Sequence, residues 1–470
     1  MYTRSTSEYS EFFMGKFYPI IIAAIITAGH FFEYEMISAT VVIMLLSLQL
    51  CLCDSIRPAL FIVPAFILQV PLVHSPGTPI HSDYLFTGWR LIAVLGLAAM
   101  LLMSVIAYVV RLRLWRRLSF RRIKILPALL ILAAAFLTNG LLSETWSLRG
   151  FIFGAVEAAF FLLLFMLLFL GLSREEDEHA LLDYVTYITL IFAAMILLQM
   201  GHLFAFGDAI KDGAIVKGNV NLGWATCNPL GAILVTLIPT LFYGAMTKRN
   251  GFLYFVFAGL VYVAAVCTCS RNALLFGTLI YALCLIIAIV KATGRRGRIA
   301  LIVFAVLAVA AVVILFTLFR ERMLTLFSSY VKQGMDDSGR IGIWQDAWEQ
   351  FLGNSLFGAG FFTSDPAGGI AVNGVPFMVH NTPLEFLSSA GIVGLIAYFY
   401  YRAETIRPLL MKPTLGKTML GLSYLVIVAE GLLDVFVLGF YMMLYPFAIM
   451  AATYRIYEIQ MEREPKRRRM

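Results

Sequence analysis

Fourteen apolar windows separated by polar links restrict this chain more than any other feature. They centre on residues 17–32, 37–53, 57–73, 86–110, 125–142, 150–172, 184–206, 224–246, 252–269, 273–290, 299–319, 384–401, 415–434 and 436–454. A helix crossing a bilayer needs about 20 apolar residues. Lipid offers backbone amides no outside partner, so each window is expected to be a helix. One soluble core cannot absorb them. Of the 470 residues, 61% are hydrophobic and 14% charged, where soluble domains have about 45–50% and about 25%. The expected architecture is all-α and polytopic, a single integral membrane domain over residues 1–470 with about fourteen transmembrane helices.

Charge orients the spans. With the N-terminus in the cytoplasm, 27 of the 36 Lys and Arg lie on the cytoplasmic side, seven of them between Arg111 and Lys124 and six between Arg455 and Arg469. This asymmetry follows the positive-inside rule and puts both termini in the cytoplasm. The first span then reads as a signal-anchor. The tail Lys466-Arg467-Arg468-Arg469 would lie on anionic headgroups, and the acidic run Glu175-Glu176-Asp177-Glu178 reads as a solvated turn. The net charge of +8 is thereby explained by topology, with no nucleic acid implied. Six cysteines, with no Cys-x-x-Cys pair, form neither a disulfide framework nor a zinc site. The absence of any obvious internal repeat counts against a transporter built from two related halves.

The one long external segment, residues 320–383, is where extracytoplasmic chemistry is expected. Gly339 to Phe351 places Ile341, Trp344, Ala347 or Trp348, and Phe351 at helical spacing, which predicts an amphipathic helix. Its tryptophans suit either the membrane interface or ligand stacking. Arg340 opens that helix on the side poor in positive charge. Its partner is either an anionic ligand or one of Asp336, Asp337 and Asp346.

The segment ends on Met378-Val379-His380-Asn381-Thr382-Pro383-Leu384-Glu385. Thr382-x-x-Glu385 reads as a capping box with Pro383 at the first helical position, so His380 would lie two residues ahead of a helix N-terminus. Unpaired N–H groups there would favour an anion. A neutral imidazole could accept a hydroxyl proton, or His380 could simply be a hydrogen-bonded loop residue. His30, His74, His81, His179 and His202 lack this setting. Arg271 stands in the turn Cys269-Ser270-Arg271-Asn272 between the ninth and tenth windows, at or below the outer membrane surface, where a buried arginine needs a partner. That partner is either a diphosphate or a carboxylate. Glu430 and Asp434 are candidates for such pairing or for substrate contact. The adjacent Asp336-Asp337 pair has no metal-type spacing, and the glycines from Gly358 to Gly369 do not join a strand to a helix, so no metal or nucleotide cofactor is expected.

His380-Asn381, nine residues, then Gly391-Ile392-Val393-Gly394 resembles the H-[NSQ]-x9-G-x-x-G signature of the O-antigen ligase and polymerase superfamily. Asn228-Pro229-Leu230-Gly231, Ser270-Arg271 with Leu274, Gly339-Arg340 with Trp344, and Asn354 to Gly360 extend the resemblance over roughly Asn219 to Gly394. Where the family usually has a proline before Leu-Phe-Gly, this chain has Asn354-Ser355-Leu356, and a changed turn is expected. The resemblance implies a GT-C-type glycosyltransferase, metal-independent and inverting, that uses an undecaprenyl-diphosphate-linked glycan on the outer face of the bacterial cytoplasmic membrane. It assigns Arg271 and Arg340 to the diphosphate and His380 to acceptor activation. Asn381, Asn272, Asn228, Trp344 and Glu385 are the accompanying candidates for substrate binding. Fourteen spans, against the twelve associated with ligases, favour a polymerase of O-antigen or capsule type, with a chain-length regulator as a partner protein. A ligase acting on lipid A-core or protein, and a flippase of lipid-linked oligosaccharide, are the alternatives.

Overall fold

The computed structural model describes residues 10–69, 88–117, 123–292, 295–333, 339–361, 371–372, 375–376, 379–435 and 443–463. His74, His81, Asp336, Asp337, Gly368, Gly369 and the Lys466–Arg469 tail lie outside them. The described chain is mostly helical. Its first half holds α1 (Phe17–Phe31), α2 (Glu35–Leu52), α3 (Ala59–Phe66), α4 (Gly88–Leu112), α5 (Leu126–Leu137), α6 (Leu148–Ala159), α7 (Phe165–Leu172) and α8 (Glu178–Phe206). A π-helical turn, Phe160–Leu164, joins α6 to α7. A two-residue hairpin, β1 (Ile210–Lys211) with β2 (Ala214–Ile215), precedes α9 (Cys227–Thr247), α10 (Gly251–Cys267), α11 (Arg271–Lys291) and α12 (Arg295–Leu318). Between α12 and the last helices lie α13 (Arg320–Leu326), α14 (Ser328–Gln333), α15 (Arg340–Gly353) and the hairpin β3 (Ala371–Val372) with β4 (Val375–Pro376). The chain closes with α16 (Thr382–Leu410), α17 (Leu415–Glu430) and α18 (Leu444–Glu462).

A helix falls in every apolar window. Seven stretches, namely α2, Leu91–Leu112, Gly150–Leu172, α8, α9, α11 and α16, are long and apolar enough to cross a membrane by length and composition. Four more apolar helical stretches, α1, Ala59–Gln69, α5 and α10, are shorter.

By its contacts the chain divides into two units. The first comprises residues 1–54, 58–108 and 182–334, and the second 55–57, 109–181 and 335–470. In the first, α9 is the central helix, buried on every side from Leu230 to Gly244 and packed on α10 and α11. A helix that is apolar all round has no solvent face to keep, and α9 fits that rule. Gly244 lies where a Cβ would enter the Tyr254 ring. A buried polar link crosses the same unit, with Trp224 Nε1 donating to Gln199 Oε1 (2.9 Å) and Gln199 Nε2 to Leu68 O (3.3 Å).

In the second unit, α16 packs on α5, α15, α17 and α18. Edge-on rings of Phe161, Phe447 and Tyr401 fill its core. Within the acidic run, read from the sequence as a solvated turn, Glu176 and Asp177 are exposed as expected but Glu175 is not. Glu175 is buried and ion-paired with Arg57, accepts from Ser55 Oγ (2.6 Å), and offers its carbonyl to Arg455 Nε (2.9 Å). An unpaired carboxylate there would be costly, and these partners come from 118 and 280 residues away, beyond the reach of local pattern.

Candidate functional site

The Arg271 turn belongs to the first unit. α10 ends at Cys267, Cys269 takes a left-handed conformation (φ 55°), and Ser270 caps α11 by accepting from Ala273 N (3.4 Å). Thr268 Oγ1 bonds back to Ala265 O (2.7 Å) and accepts from Ser270 N (3.2 Å). α9 can press against this turn because residue 231 is glycine; a Cβ there would meet Ala273, Thr268 and Ser270. Tyr330 on α14 donates its hydroxyl to Val266 O (2.8 Å). Burial pushes the Tyr330 phenol well above its ordinary range, with the nearby Cys269 and Cys267 adding to it, so the group remains a donor. Arg271 therefore sits at the first position of a helix whose cap is held from three elements. Beside it Asn272 is buried, and its Nδ2 has no hydrogen-bond partner among the described residues. Asn228, in the first turn of α9, is half-buried, and its carbonyl oxygen accepts from Cys227 Sγ (3.8 Å).

His380 and Arg340 belong to the second unit. His380 adopts a left-handed conformation (φ 53°), and its Nδ1 lies 2.9 Å from Asp434 Oδ1. A carboxylate can only accept, so the imidazole carries a proton on Nδ1; in its neutral form Nε2 is then the acceptor nitrogen. Asp434 is fixed in turn: Val435 N donates to its Oδ1 (2.9 Å), and Thr382 Oγ1 donates to its carbonyl (3.0 Å). Trp344 Nε1 donates to Val379 O (2.9 Å), tying α15 to the residue before His380.

Arg340 is the first residue of α15, behind Gly339 at φ 76°. Among the described residues it forms no ion pair, so Asp346 does not neutralise it; Asp336 and Asp337 lie outside them. Arg340 and Asp434 are both charged neighbours of Glu430, which is 1% exposed and whose Oε1 has no hydrogen-bond partner among the described residues. One guanidinium, one imidazole and two carboxyls are thus gathered in this unit.

Three expectations change here. The cap of α16 is Asn381, not Thr382: Asn381 Oδ1 accepts from Leu384 N (3.0 Å), while Thr382 N donates to Gly431 O (2.8 Å). With Pro383 lacking an N–H and Glu385 N donating to Asn381 O (2.8 Å), the first turn has no free donors for an anion. Asn381 also donates from Nδ2 to Leu432 O (3.0 Å), so both ends of its amide hold the fold. Glu385 is buried, with Val379 N donating to Oε2 (2.8 Å) and Ser389 Oγ to Oε1 (3.0 Å). Through these bonds Asn381, Glu385 and the indole N–H of Trp344 hold the His380 segment in place. On α15 the inward face runs through Ile343, Trp344 and Ala347, leaving Ile341 and Trp348 exposed.

The signature glycines explain how the segment is built. Gly391 interrupts α16 at φ 66°, ψ −163°, a conformation essentially restricted to glycine. The loop from Asn354 to Gly360 fills the break. Ala359 N and Gly360 N donate to Ser388 O (2.8 Å) and Ser389 O (2.9 Å), while Ser355 O and Leu356 O accept from Ile392 N (2.9 Å) and Val393 N (3.3 Å). A Cβ on Gly391 would overlap Leu356 O. The same loop is clasped from the α5–α6 connection: Gly140 N donates to Phe357 O (2.8 Å), Thr145 Oγ1 to Ala359 O (2.8 Å), and Phe361 N to Asn139 Oδ1 (3.0 Å). The early windows looked merely apolar in the sequence, yet this connection supports the loop under α16.

Residues 234–399, about a third of the chain, match the family model described as O-antigen ligase. Over this segment the chain is similar to the O-antigen ligase family. The segment takes in Arg271, Arg340, His380 and Gly391 and stops before Asp434. Members of the O-antigen ligase family are glycosyltransferase-like enzymes, and the match supports a ligase- or polymerase-type function in a multi-pass membrane protein. No curated protein matches the chain.

Proposed function

We propose that the protein is a glycan polymerase that transfers an undecaprenyl-diphosphate-linked glycan to a hydroxyl of another lipid-linked repeat unit on the outer face of the cytoplasmic membrane. The observation that carries this reading is the His380–Asp434 pair at 2.9 Å, in the same unit as an Arg340 that forms no ion pair among the described residues. In the proposed step the acceptor hydroxyl loses its proton to His380 Nε2 and its oxygen attacks the anomeric carbon. The bond from that carbon to the diphosphate oxygen breaks with inversion. Asp434 stabilises the imidazolium that forms, as a carboxylate does for a histidine base. The leaving diphosphate gains negative charge, which Arg340 stabilises by charge-assisted hydrogen bonds. Arg271 is assigned to the same diphosphate, and the unpartnered Asn272 Nδ2 supports a polar ligand at its turn. The chemistry asks for no metal and no nucleotide.

The same proposal takes the chain as one GT-C-type membrane domain of about fourteen spans, with both termini cytoplasmic, residues 320–383 outside and a chain-length regulator as partner. The similarity of residues 234–399 to the O-antigen ligase family supports a second reading, ligation to lipid A-core or protein by the same residues.

Purified protein incubated with lipid-linked repeat units alone separates these. A ladder of products is expected for the polymerase, and transfer only after an outer-core lipid or protein is added marks the ligase. Arg340→Ala and His380→Ala, each with wild-type melting behaviour, should lower transfer by about 10²–10⁴. Undiminished transfer in either variant overturns the residue assignment, and lipid translocation without glycosidic bond formation overturns the enzyme reading.

A further inference from the structure

At the ends of α9, α10, α11 and α12 furthest from the Arg271 turn, the first unit has a half-open cavity of about 330 Å³. Its walls are Ala245 and Ala288, small side chains that leave the space, with Phe252, Phe255 and Leu301 around them, and Lys291 stands at its margin. The α9–α10 turn closes tightly beside it because a Cβ on Gly251 would strike the Ala245 carbonyl. Phe255 is buried while Phe252 is 76% exposed, so apolar lining continues outward from the cavity.

Charge around this cavity is mostly basic. Between Asp212 and Glu321 the sequence has no acidic residue, whereas Lys248, Arg249, Lys291, Arg295, Arg296 and Arg298 are all close to these helix ends in sequence. Lys248 is ion-paired with Asp183 on α8. Lys291 and Arg298 are exposed, and Arg298 precedes Leu301 by three residues, which puts it on the same face of α12. Apolar walls with a basic margin, at the level where membrane helices meet the headgroups, suit one ligand class.

We propose that this cavity holds an acyl chain of an anionic glycerophospholipid, with its phosphate on Lys291 and Arg298. A free phosphate would use the basic margin and leave the aromatic walls unexplained. A zwitterionic lipid would use the walls without the charge. Basic pockets between membrane helices recognise anionic headgroups on this principle. By the distribution of Lys and Arg these helix ends face the cytoplasm, so the bound lipid belongs to the inner leaflet.

The test uses the full-length protein in neutral detergent, supplied with phosphatidylglycerol or phosphatidylcholine of identical chains and examined by native mass spectrometry. Phosphatidylglycerol should remain bound under activation that strips phosphatidylcholine, and excess inorganic phosphate should leave it in place. Lys291→Gln, at an exposed position, should lower retention by about fivefold, the effect of one lost basic contact. Ala288→Phe should abolish retention by filling the cavity. Equal retention of the two lipids, displacement by inorganic phosphate, or undiminished retention in Lys291→Gln overturns the proposal.

Discussion

Replacing Gly391 with alanine tests the break in α16 directly. The backbone there (φ 66°, ψ −163°) costs a residue with a Cβ about 1–3 kcal/mol, and the new methyl would overlap Leu356 O and Gly358 N. Relief requires the Asn354–Gly360 loop to move away, giving up bonds to Ser388 O, Ser389 O, Ile392 N and Val393 N. Four such bonds at about 0.5–1.5 kcal/mol each set the upper end of the loss. Residual strain with part of the loop released gives a destabilisation of roughly 3–6 kcal/mol. Gly342→Ala is the control: it lies within α15 with nothing inside 4 Å of a Cβ, and should be neutral or stabilising by about 0.4–1 kcal/mol. Thermal unfolding of the two variants in one detergent, with limited proteolysis of the 354–361 loop, reads both effects. A Gly391→Ala protein that melts with wild type and resists protease equally would show that the break is not held by that loop, and the reasoning would fail.

Three further outcomes are expected. Asp434→Asn keeps a polar partner for His380 but cannot stabilise an imidazolium, so kcat should fall by about 10–100-fold, within the contribution of a positioned base. An unchanged donor KM and an altered pH profile mark that role, whereas a raised KM together with lost stability would indicate a merely structural one. Tyr330→Phe removes the donor to Val266 O and should cost about 1–2 kcal/mol. It should raise donor KM if the Arg271 turn binds the diphosphate, and donor affinity equal to wild type would remove Tyr330 from that part. Arg57→Ala leaves Glu175 buried with only Ser55 and should destabilise by about 2–4 kcal/mol, reduced from the fully buried case because Arg57 is partly exposed. Arg57→Lys should recover part of the loss in the same melting assay.

The positions of the helices and the His380 segment were legible because each rests on local pattern. An apolar window must satisfy its backbone internally, and a Pro after a capping residue starts a helix wherever it occurs. What was not legible depended on distant partners. Asn381 and Thr382 can both cap, and the choice falls to Asn381 because Thr382 Oγ1 is taken by the Asp434 carbonyl, 52 residues on. Glu175 reads as one acid among four until Arg57 and Arg455 meet it. Gly391 in an otherwise helical run looks tolerated rather than necessary; only the inserted loop makes it necessary. Asp434 was a candidate among several, and the left-handed His380 beside it turns the two into a pair.

The clasp made by Asn139, Gly140 and Thr145 bears on how this protein can be recombined with relatives. The segment resembling other chains, 234–399, shares three hydrogen bonds with residues that lie outside it, each more than 200 positions before its partner. Grafting that segment onto a foreign front half would import the His380 machinery without its underpinning. Chimaeras that swap acceptor preference should therefore exchange residues 139–145 along with the loop they hold.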